Sequence, residues 1–386
     1  MENILIFNAG YTPAKTYGGP VVSISNLVKS LHEKFNFTII TNSTEINSDE
    51  NIDGIDVNLV NLGEYSEEIL YLDKKHYDFK FIESAIFKSK NFDLIYVNSF
   101  FNFKQLKIAL YFSNKYNIPM LIAPRGELEK NAFNIKKNKK IVYSLIMKFI
   151  FARKNVYFQA TTEAEYKNIN TKLGISVENI VKLKNIPTTL DSSAFKQPKI
   201  KAANKLDVCF ISRIQTKKNL DYALKILKQI DSKYQVKFDI YGPIENKQYW
   251  ENCIEIINSL PSHITVNYQG IVSHDEILNT FSNYDLFLFP TKSENFGHVI
   301  YESLAAGCPV LISDQTPWND INNTNAGKAI PLKDKQKYEN YINDLAQLNQ
   351  EEYKKVRYAT SIYLKDKINT EEIRNLYVDI FTKITK

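Results

Sequence analysis

Cysteine is scarce in this sequence, and long apolar runs are missing from it. The three cysteines, Cys209, Cys253 and Cys308, lie far apart in apolar surroundings and have no metal-ligand spacing, so we expect reduced packing residues of a cytoplasmic protein. No stretch approaches the ~18–20 uninterrupted apolar residues of a membrane-spanning helix. The first residues lack the basic flank and the apolar core of a secretion signal, and they predict a first strand instead.

Several motifs of metal and nucleotide chemistry are also missing. No D-x-D sequence occurs, so the usual carboxylates of a metal–diphosphate site are absent and no metal is expected. The loop after the first strand is neither a Walker A sequence nor G-x-G-x-x-G, which disfavours a NAD-dependent enzyme. The net charge of +6 suits anionic ligands or an anionic membrane surface, but it is too diffuse to indicate nucleic acid.

The residues that are present predict two α/β domains. A chain of 386 residues with 44% apolar and 24% charged residues is of the globular type and too long for one ordinary core. Strand-like apolar runs alternate with helix-like patterns, which indicates mostly parallel, doubly wound sheets. The lysine-rich segment 191–205 has few large apolar residues and is the predicted linker. The strands predicted in the first half are 3–7, 37–41, 57–60, 94–97, 120–123 and 156–160.

The most informative segment is 286–312, whose pattern predicts a strand, a loop, a helix and a second strand. The apolar run 286–289 is stopped by Pro290, and a helical pattern covers 296–306. Gly307 and Pro309 then end the helix before the next strand. Open α/β sheets bind ligands at the loop after such a first strand, so we expect a ligand site here.

Two glutamates in that segment are candidate site residues. Glu294 lies in the loop, and Glu302 lies in an apolar helix, where a carboxylate is costly unless something pairs with it. The amides near Phe296, Gly297 and His298 begin the helix and suit an anion. The alternative is that both glutamates are solvated surface residues, but the strand-loop-helix context favours a ligand site.

The sequences Ser293-Glu-Asn-Phe-Gly297 and Tyr301-Glu-Ser-Leu-Ala-Ala-Gly307-Cys-Pro-Val310 resemble the signature of glycosyltransferase family 4, the retaining GT-B enzymes. The resemblance implies two Rossmann-like, doubly wound parallel-sheet domains that face a cleft. It also implies that Glu294 contacts the donor sugar beside its anomeric carbon and that Glu302 bonds the ribose of the nucleotide. The donor-binding residues implied with Glu302 are Asn295, Phe296, Gly297 and His298.

A second candidate site follows the first strand of the second half, which is predicted at 206–211. Arg213 and Lys218 come after that strand and beside a predicted helix start, an arrangement that suits a pyrophosphate. In the family that the sequence resembles, an arginine and the lysine five residues on bind the donor diphosphate, and this chain has that spacing. Surface residues of no function are the alternative.

Two later strand ends complete the donor site implied by the resemblance. Gly242 ends the next strand and matches the family's turn that faces the cleft. Ile271 follows the strand after that, at a turn near the nucleotide base. His274 begins the following helix, and we expect an exposed residue of its first turn rather than a ligand.

Three places in the first half are candidates for acceptor or cleft contacts. Gly18 and Gly19 lie in the first loop, where a plain tight turn and a ligand-contacting backbone fit equally well, and the resemblance favours contact. Asn98 follows a strand at a position where many relatives have a histidine. Arg125 follows another strand, and the alternative for it is a surface ion pair.

Residues 135–154 form a basic amphipathic pattern without any acidic residue. Such a helix can rest on anionic lipid, which would make the protein peripheral on the inner face of the membrane. It can equally pack its apolar side on its own domain and expose its lysines. The resemblance adds weight to the membrane alternative, because GT-B enzymes with lipid-linked acceptors often have such a surface.

The predicted domains are an acceptor-binding domain at 1–195, a nucleotide-sugar-binding domain at 196–368, and a terminal helix at 369–386 that returns to the first domain. The resemblance implies transfer of a sugar, with retention, from a nucleoside-diphosphate sugar to a hydroxyl of a glycan or lipid-linked acceptor. Because D-x-D is missing and Arg213, Lys218 and the amides around Gly297 can neutralise the diphosphate, we expect this transfer to need no metal. Cell-surface polysaccharide assembly is the implied setting. The alternatives are a sugar-nucleotide-binding protein without chemistry, and a GT-B epimerase or phosphorylase.

Overall fold

The computed structural model describes residues 1–129, 133, 137–150, 155–188 and 199–386, and the chain forms two compact units. The first unit comprises Met1–Pro187 and Thr370–Lys386, and the second comprises Thr188–Asn369. The terminal helix therefore belongs to the first unit, although the whole second unit precedes it in the chain. The predicted boundary at 195/196 and the first part of the predicted linker lie outside the described residues.

An eight-stranded sheet forms the centre of the first unit. Its order is β3-β4-β2-β1-β5-β6-β7-β8, and all neighbours are parallel except β3 and β4. The strands are β1 (Glu2–Phe7), β2 (Phe35–Asn42), β3 (Val60–Leu62), β4 (Glu68–Leu72), β5 (Leu94–Val97), β6 (Met120–Ile122), β7 (Val156–Ala160) and β8 (Ile180–Lys182). The helices are α1 (Gly19–Leu31), α2 (Phe79–Ile82), α3 (Phe103–Tyr116), α4 (Lys137–Ile150), α5 (Glu163–Asn168) and, at the end of the chain, α12 (Thr370–Thr385). Two apolar clusters cover the sheet, as expected for parallel strands that are buried on both faces.

The strands predicted at 94–97 and 156–160 are confirmed by β5 and β7, with the predicted bounds. The strand predicted at 57–60 is wrong: residues 57–59 form a turn and a bend, and β3 begins only at Val60. The apolar residues there are misleading because Leu59, Val60 and Leu62 are exposed at the edge of the sheet rather than buried inside it. The sequence analysis also missed β4 and β8.

A six-stranded, fully parallel sheet with the order β11-β10-β9-β12-β13-β14 forms the second unit. One continuous apolar cluster packs the sheet against its helices. The strands are β9 (Lys205–Ile211), β10 (Gln235–Tyr241), β11 (Ile264–Gly270), β12 (Leu286–Phe289), β13 (Val310–Ser313) and β14 (Gly327–Ile330). The helices are α6 (Leu220–Leu227), α7 (Lys247–Asn258), α8 (Ile277–Ser282), α9 (His298–Ala305), α10 (Lys335–Gln347) and α11 (Gln350–Lys367).

The strand-loop-helix-strand unit predicted for 286–312 is confirmed by β12, α9 and β13. The helix begins at His298, two residues later than predicted, because Gly297 is its N-cap and has a left-handed backbone with φ of 78°. A side chain at that position would be strained, and its Cβ would lie 2.9 Å from Ile300 Cδ1.

Within the described part of the chain, no helix combines the length and the apolar character needed to span a bilayer.

Candidate functional site

The loops after β9 and β12 hold the central site of the second unit. These strands are adjacent and parallel, so the two loops that follow them lie at the same edge of the sheet. The Lys292 amide donates to the Lys217 carbonyl at 2.9 Å, and the Asn219 side-chain amide donates to the Pro290 carbonyl at 2.9 Å. Hydrogen bonds to the backbone therefore fix one loop against the other.

Lys218 and Glu294 face each other across these loops as an ion pair between Nζ and Oε1. Each side chain is only 13% exposed, and the ammonium also lies 5.3 Å from the centroid of the Phe289 ring. Burial lowers the pKa of Lys218 and the Glu294 carboxylate opposes that shift, while nearby Arg213 lowers it further. The alternative of a solvated surface residue is therefore wrong for Glu294 and for Lys218.

Arg213 has a different carboxylate partner, Glu245, whose Oε2 lies 3.1 Å from Arg213 Nη1. The sequence analysis did not identify Glu245. It follows the turn after β10, and backbone hydrogen bonds join that turn to the loop after β9 at Ile214. The sequence signal that could have identified Glu245 is its position just past the end of the predicted neighbouring strand. Both cations of the predicted pyrophosphate site are thus present at one sheet edge, and each is balanced by its own glutamate.

Gly242 and Ile271 lie at the same edge, after β10 and β11. The backbone of Gly242 passes so close to the end of β9 that a Cβ there would lie 2.0 Å from the Ser212 carbonyl oxygen. This close approach accounts for a glycine at position 242 even if no ligand contacts it. Ile271 is exposed. The structure therefore gives Gly242 a packing role and leaves the Ile271 side chain accessible.

Aromatic residues pack around the start of α9. Trp318 Nε1 donates to the Phe296 carbonyl at 2.6 Å, and the Phe296 ring lies 4.7 Å from the His298 ring. Asn295 precedes this turn, next to Glu294. The first turn of a helix leaves backbone N–H groups without intrahelical acceptors, and the helix dipole favours an anion there. All the residues predicted around the start of this helix therefore lie together at the loop after β12.

Glu302 is buried in α9, with 2% of its surface exposed, so the alternative of a solvated surface residue is wrong here too. Burial raises the pKa of Glu302 to about 8. Among the described residues, its Oε1 has no hydrogen-bond partner. His274 Nδ1 lies 3.8 Å from this oxygen, and the His274 side chain is 33% exposed. The expectation of an exposed first-turn residue is wrong, because His274 lies in the turn before α8 and is half-buried beside this carboxylate.

Asn98 and Arg125 meet in the first unit, at the ends of β5 and β6. Arg125 Nε donates to Asn98 Oδ1 at 2.6 Å, and its Nη2 donates to the Tyr96 hydroxyl at 2.6 Å. Its Nη1 donates to Asn185 Oδ1. Within the described part of the chain, no carboxylate forms an ion pair with Arg125, so the surface ion pair considered as the alternative is wrong.

The first loop joins the same polar network. Asn98 Nδ2 donates to Asn8 Oδ1 at 2.9 Å, and Asn8 in turn donates to the Pro20 carbonyl at 3.2 Å, in the first turn of α1. Gly18 is the N-cap of α1, with φ of 64°, and a side chain on Gly19 would contact nothing within 4 Å. The four candidate residues of the first unit therefore lie around one helix start.

The comparison with protein families places the central site inside a known domain. Residues 191–361 match the family model described as Glycosyl transferases group 1. An uncharacterized 41.2 kDa protein of the cps region of Klebsiella pneumoniae is 27% identical over 267 residues, which is 64% of this chain and 70% of that protein. An uncharacterized glycosyltransferase of Methanocaldococcus jannaschii is 26% identical over 297 residues, or 76% of this chain and 74% of that protein.

Solved structures extend the likeness to the whole chain. HepE of Anabaena, crystallised with UDP and glucose, superposes with a TM-score of 0.73 at 14% identity over 99% of this chain and 100% of that chain. A sucrose-phosphate synthase of Thermosynechococcus elongatus superposes with a TM-score of 0.73 at 14% identity, over 100% of this chain and 99% of that chain. At such identity the likeness shows the fold, which is GT-B.

Proposed function

Because this chain is a glycosyltransferase with the GT-B fold, we propose that it is a retaining enzyme of family 4 that uses a nucleoside-diphosphate sugar as donor. The acceptor is a hydroxyl of a glycan or a lipid-linked glycan, in cell-surface polysaccharide assembly. The observation that supports this most strongly is the meeting of Lys218, Arg213 and Glu294 at the edge where β9 and β12 end. The cations suit a diphosphate, and the carboxylate beside them can accept hydrogen bonds from sugar hydroxyls.

The donor diphosphate is bound by Lys218, Arg213 and the first amides of α9. Fixed cations and backbone N–H groups stabilise the negative charge that develops as the sugar leaves, and they need no reorganisation at that moment. In the unliganded protein each cation is paired with a glutamate, so the diphosphate must compete with Glu294 and Glu245. The reaction is proposed to need no metal, because the protein's own cations neutralise the diphosphate.

Glu294 orients the sugar and does not attack it. The bond between the anomeric carbon and the donor phosphate oxygen breaks, and a bond from that carbon to the acceptor oxygen forms on the same face. The departing phosphate takes the proton of the acceptor hydroxyl, so that a nucleoside diphosphate is released and no covalent enzyme intermediate is needed. Glu302 accepts hydrogen bonds from the ribose hydroxyls.

The first unit binds the acceptor through the network of Asn98 and Arg125 and the loop at Gly18 and Gly19. In the described residues the Arg125 guanidinium donates to neutral oxygens, and the Glu165 carboxylate is near enough to act on it electrostatically without an ion pair. Part of its positive charge therefore remains to attract an anionic or highly oxygenated acceptor. Tyr96 joins this network to Gln159, which also bonds the Tyr377 hydroxyl of α12. Hydrogen bonds thus connect the terminal helix to the proposed acceptor residues and help to position them.

Incubation with UDP-, GDP- and ADP-sugars is expected to give binding to one nucleotide class, and turnover when an acceptor is present. UDP-sugars come first, because the HepE crystal structure contains UDP. A nucleotide at 100 times its dissociation constant should stabilise the protein by about 2.7 kcal/mol in a thermal-shift assay. Product detected by mass spectrometry, with the anomeric configuration determined by NMR, tests transfer and retention.

The same experiment in EDTA separates the alternatives. Turnover should persist in EDTA, and complete loss that magnesium restores would contradict the metal-independent proposal. Binding of a sugar nucleotide without product from any acceptor would favour the binding protein over the enzyme. A changed donor sugar without transfer would indicate the epimerase.

Helix α4 gives the proposed enzyme a surface for the membrane on which its acceptor resides. Tyr143, Met147 and Ile150 pack against the first unit, but Val142 and Leu145 are 57% and 56% exposed. The packing alternative of the sequence analysis is therefore wrong for these two residues. Exposed Phe103 of α3 lies 5.9 Å from Tyr143, ring to ring, and extends the same apolar surface. The flanking residues 134–136 and 151–154 lie outside the described residues.

Exchange of the exposed apolar residues for acidic ones is expected to release the protein from anionic membranes. Val142→Glu with Leu145→Glu should reduce sedimentation with phosphatidylglycerol vesicles several-fold, because apolar burial and attraction to lysines both contribute to such binding. Neutralising Lys136, Lys137, Lys139 and Lys140 together should have a similar effect. The matched control is Ile362→Glu, at an exposed isoleucine of α11. Equal sedimentation of all variants would contradict the membrane proposal.

A further inference from the structure

Two hydrogen bonds join the loop after β13 to the loop that contains Glu294. The Glu294 amide donates to the Gln315 carbonyl at 3.0 Å, and Trp318 Nε1 donates to the Phe296 carbonyl at 2.6 Å. The sequence analysis identified neither Gln315 nor Trp318. The conformation of the loop after β12 therefore depends on residues that lie beyond the central segment 286–312.

Trp318 is a rigidly held hydrogen-bond donor. It is 1% exposed, and its ring packs against the rings of Phe296 and Tyr363 at centroid distances of 5.9 and 6.1 Å. The Lys367 ammonium lies 5.4 Å from the centroid of the same ring. An indole N–H can only donate, and a buried one needs an acceptor. The Phe296 carbonyl is that acceptor, so its direction is fixed by the position of the indole.

The bond to Trp318 also determines where the next backbone amide points. The peptide between Phe296 and Gly297 is trans and planar, so its C=O and N–H groups point in opposite directions. In the sheet, β12 lies between β9 and β13. The Phe296 carbonyl is bonded on the β13 side, so the Gly297 N–H is directed to the β9 side, where Lys218 and Arg213 lie.

The local backbone does not determine this orientation by itself. Gly297 has φ of 78°, and glycine adopts positive and negative φ about equally well, so the peptide could rotate at little cost. The rotated peptide would present the Phe296 carbonyl oxygen, which repels a phosphate, in place of the N–H. Among the described residues, the Gly297 N–H has no acceptor, and it is therefore available to a ligand.

We propose that Trp318 is a positioning residue for the donor: its indole N–H holds the Phe296–Gly297 peptide so that the Gly297 N–H donates to the phosphate that carries the sugar. The inference rests on the proposed use of a nucleoside-diphosphate donor. That phosphate is the one expected at Gly297, because Glu294, which is proposed to orient the sugar, lies in the same turn.

Titration calorimetry of the intact protein tests the proposal by comparing a nucleoside diphosphate with its monophosphate, which lacks the phosphate in question. The probes are whichever of the pairs UDP and UMP, GDP and GMP, or ADP and AMP the wild type binds. Trp318→Phe keeps a buried ring but removes the N–H. It should lower diphosphate affinity about tenfold, the size of one hydrogen bond to a charged group, and leave monophosphate affinity unchanged. Benzothienylalanine at position 318 has the shape of tryptophan without the N–H, and it should have the same effect if phenylalanine destabilises the fold.

The matched control is Tyr363→Phe, which also keeps its ring and removes one donor next to Trp318. The Tyr363 hydroxyl donates to Asp320 Oδ1 at 2.9 Å, so its loss should lower the melting temperature without changing either affinity. An equal loss of monophosphate and diphosphate affinity in the position-318 variants would indicate a structural role and overturn the proposal. Wild-type affinities in both of those variants would overturn it as well.

The Gly297 amide gives a second readout, which a merely structural role would not change. Phe296-Gly297 is the only Phe-Gly pair in the sequence, so carbonyl-¹³C phenylalanine together with ¹⁵N-glycine yields one coupled amide signal. The diphosphate should shift this amide proton downfield in the wild type but not in Trp318→Phe. A wild type that binds the diphosphate without this shift would overturn the inference and leave the proposed function intact. If the wild type binds no nucleoside diphosphate, the proposed function fails and the inference fails with it.

Discussion

Glu294→Gln is expected to lower the rate of sugar transfer severely while leaving nucleotide binding intact or stronger. The amide has nearly the shape of the carboxylate but no charge, so it cannot support the positive character that develops at the anomeric carbon. Loss of one such stabilising group lowers kcat by about 10²–10³. Nucleotide affinity should respond differently, because Glu294 forms an ion pair with Lys218 in the unliganded protein. Once the competing charge is removed, Lys218 is free to bind the diphosphate.

The measurement is kcat with the identified donor, together with the dissociation constant of its nucleotide and the melting temperature. The matched control is Glu255→Gln, an exposed glutamate of α7, which should change none of the three. Unchanged turnover in Glu294→Gln would remove Glu294 from the mechanism. A loss of nucleotide affinity as large as the loss of kcat would instead indicate a structural role for the pair.

The central segment could be predicted because its signals are local. An apolar run closed by Pro290, a helical pattern and Gly307 followed by Pro309 determine β12, α9 and β13 without any distant contact. The left-handed conformation of Gly297 shifts the start of the helix by two residues, which no periodicity reveals. Local signals also identified the two glutamates: Glu302 is a charged residue in an apolar helix, and Glu294 lies in the loop that follows the strand.

The partners of these residues could not be predicted, because they depend on which strand ends become neighbours. Lys218 and Glu294 meet only because β9 and β12 are adjacent in the sheet, and Glu245 reaches Arg213 only because β10 lies on the other side of β9. His274 looked like a surface residue, since its contact with Glu302 joins the turn before α8 to the middle of α9. The polar network around Arg125 was likewise invisible, because it joins residues from five separate segments of the first unit.

Lys218→Met is expected to weaken both donor binding and transfer, in contrast to Glu294→Gln. Methionine keeps the length and the apolar stem of the lysine but removes the charge that faces the diphosphate. The Glu294 carboxylate then remains at the site without its partner and repels the anionic donor. We expect nucleotide affinity to fall by about 10²-fold, and kcat/KM by more, since a lost stabilising charge costs about 2.7–4 kcal/mol in the transition state. Calorimetry and steady-state kinetics measure both, and exposed Lys333→Met is the control.

The double variant Lys218→Met with Glu294→Gln decides whether the two residues act through one another. If the repulsion by the lone carboxylate causes part of the loss in Lys218→Met, the second substitution should recover some nucleotide affinity, and the two effects will not add. Recovery of affinity without recovery of turnover would mean that the pair balances charge in the empty site, while each residue has its own role once the donor is bound. Strictly additive losses of affinity would contradict this, because they would mean that the ion pair of the unliganded protein does not compete with the diphosphate.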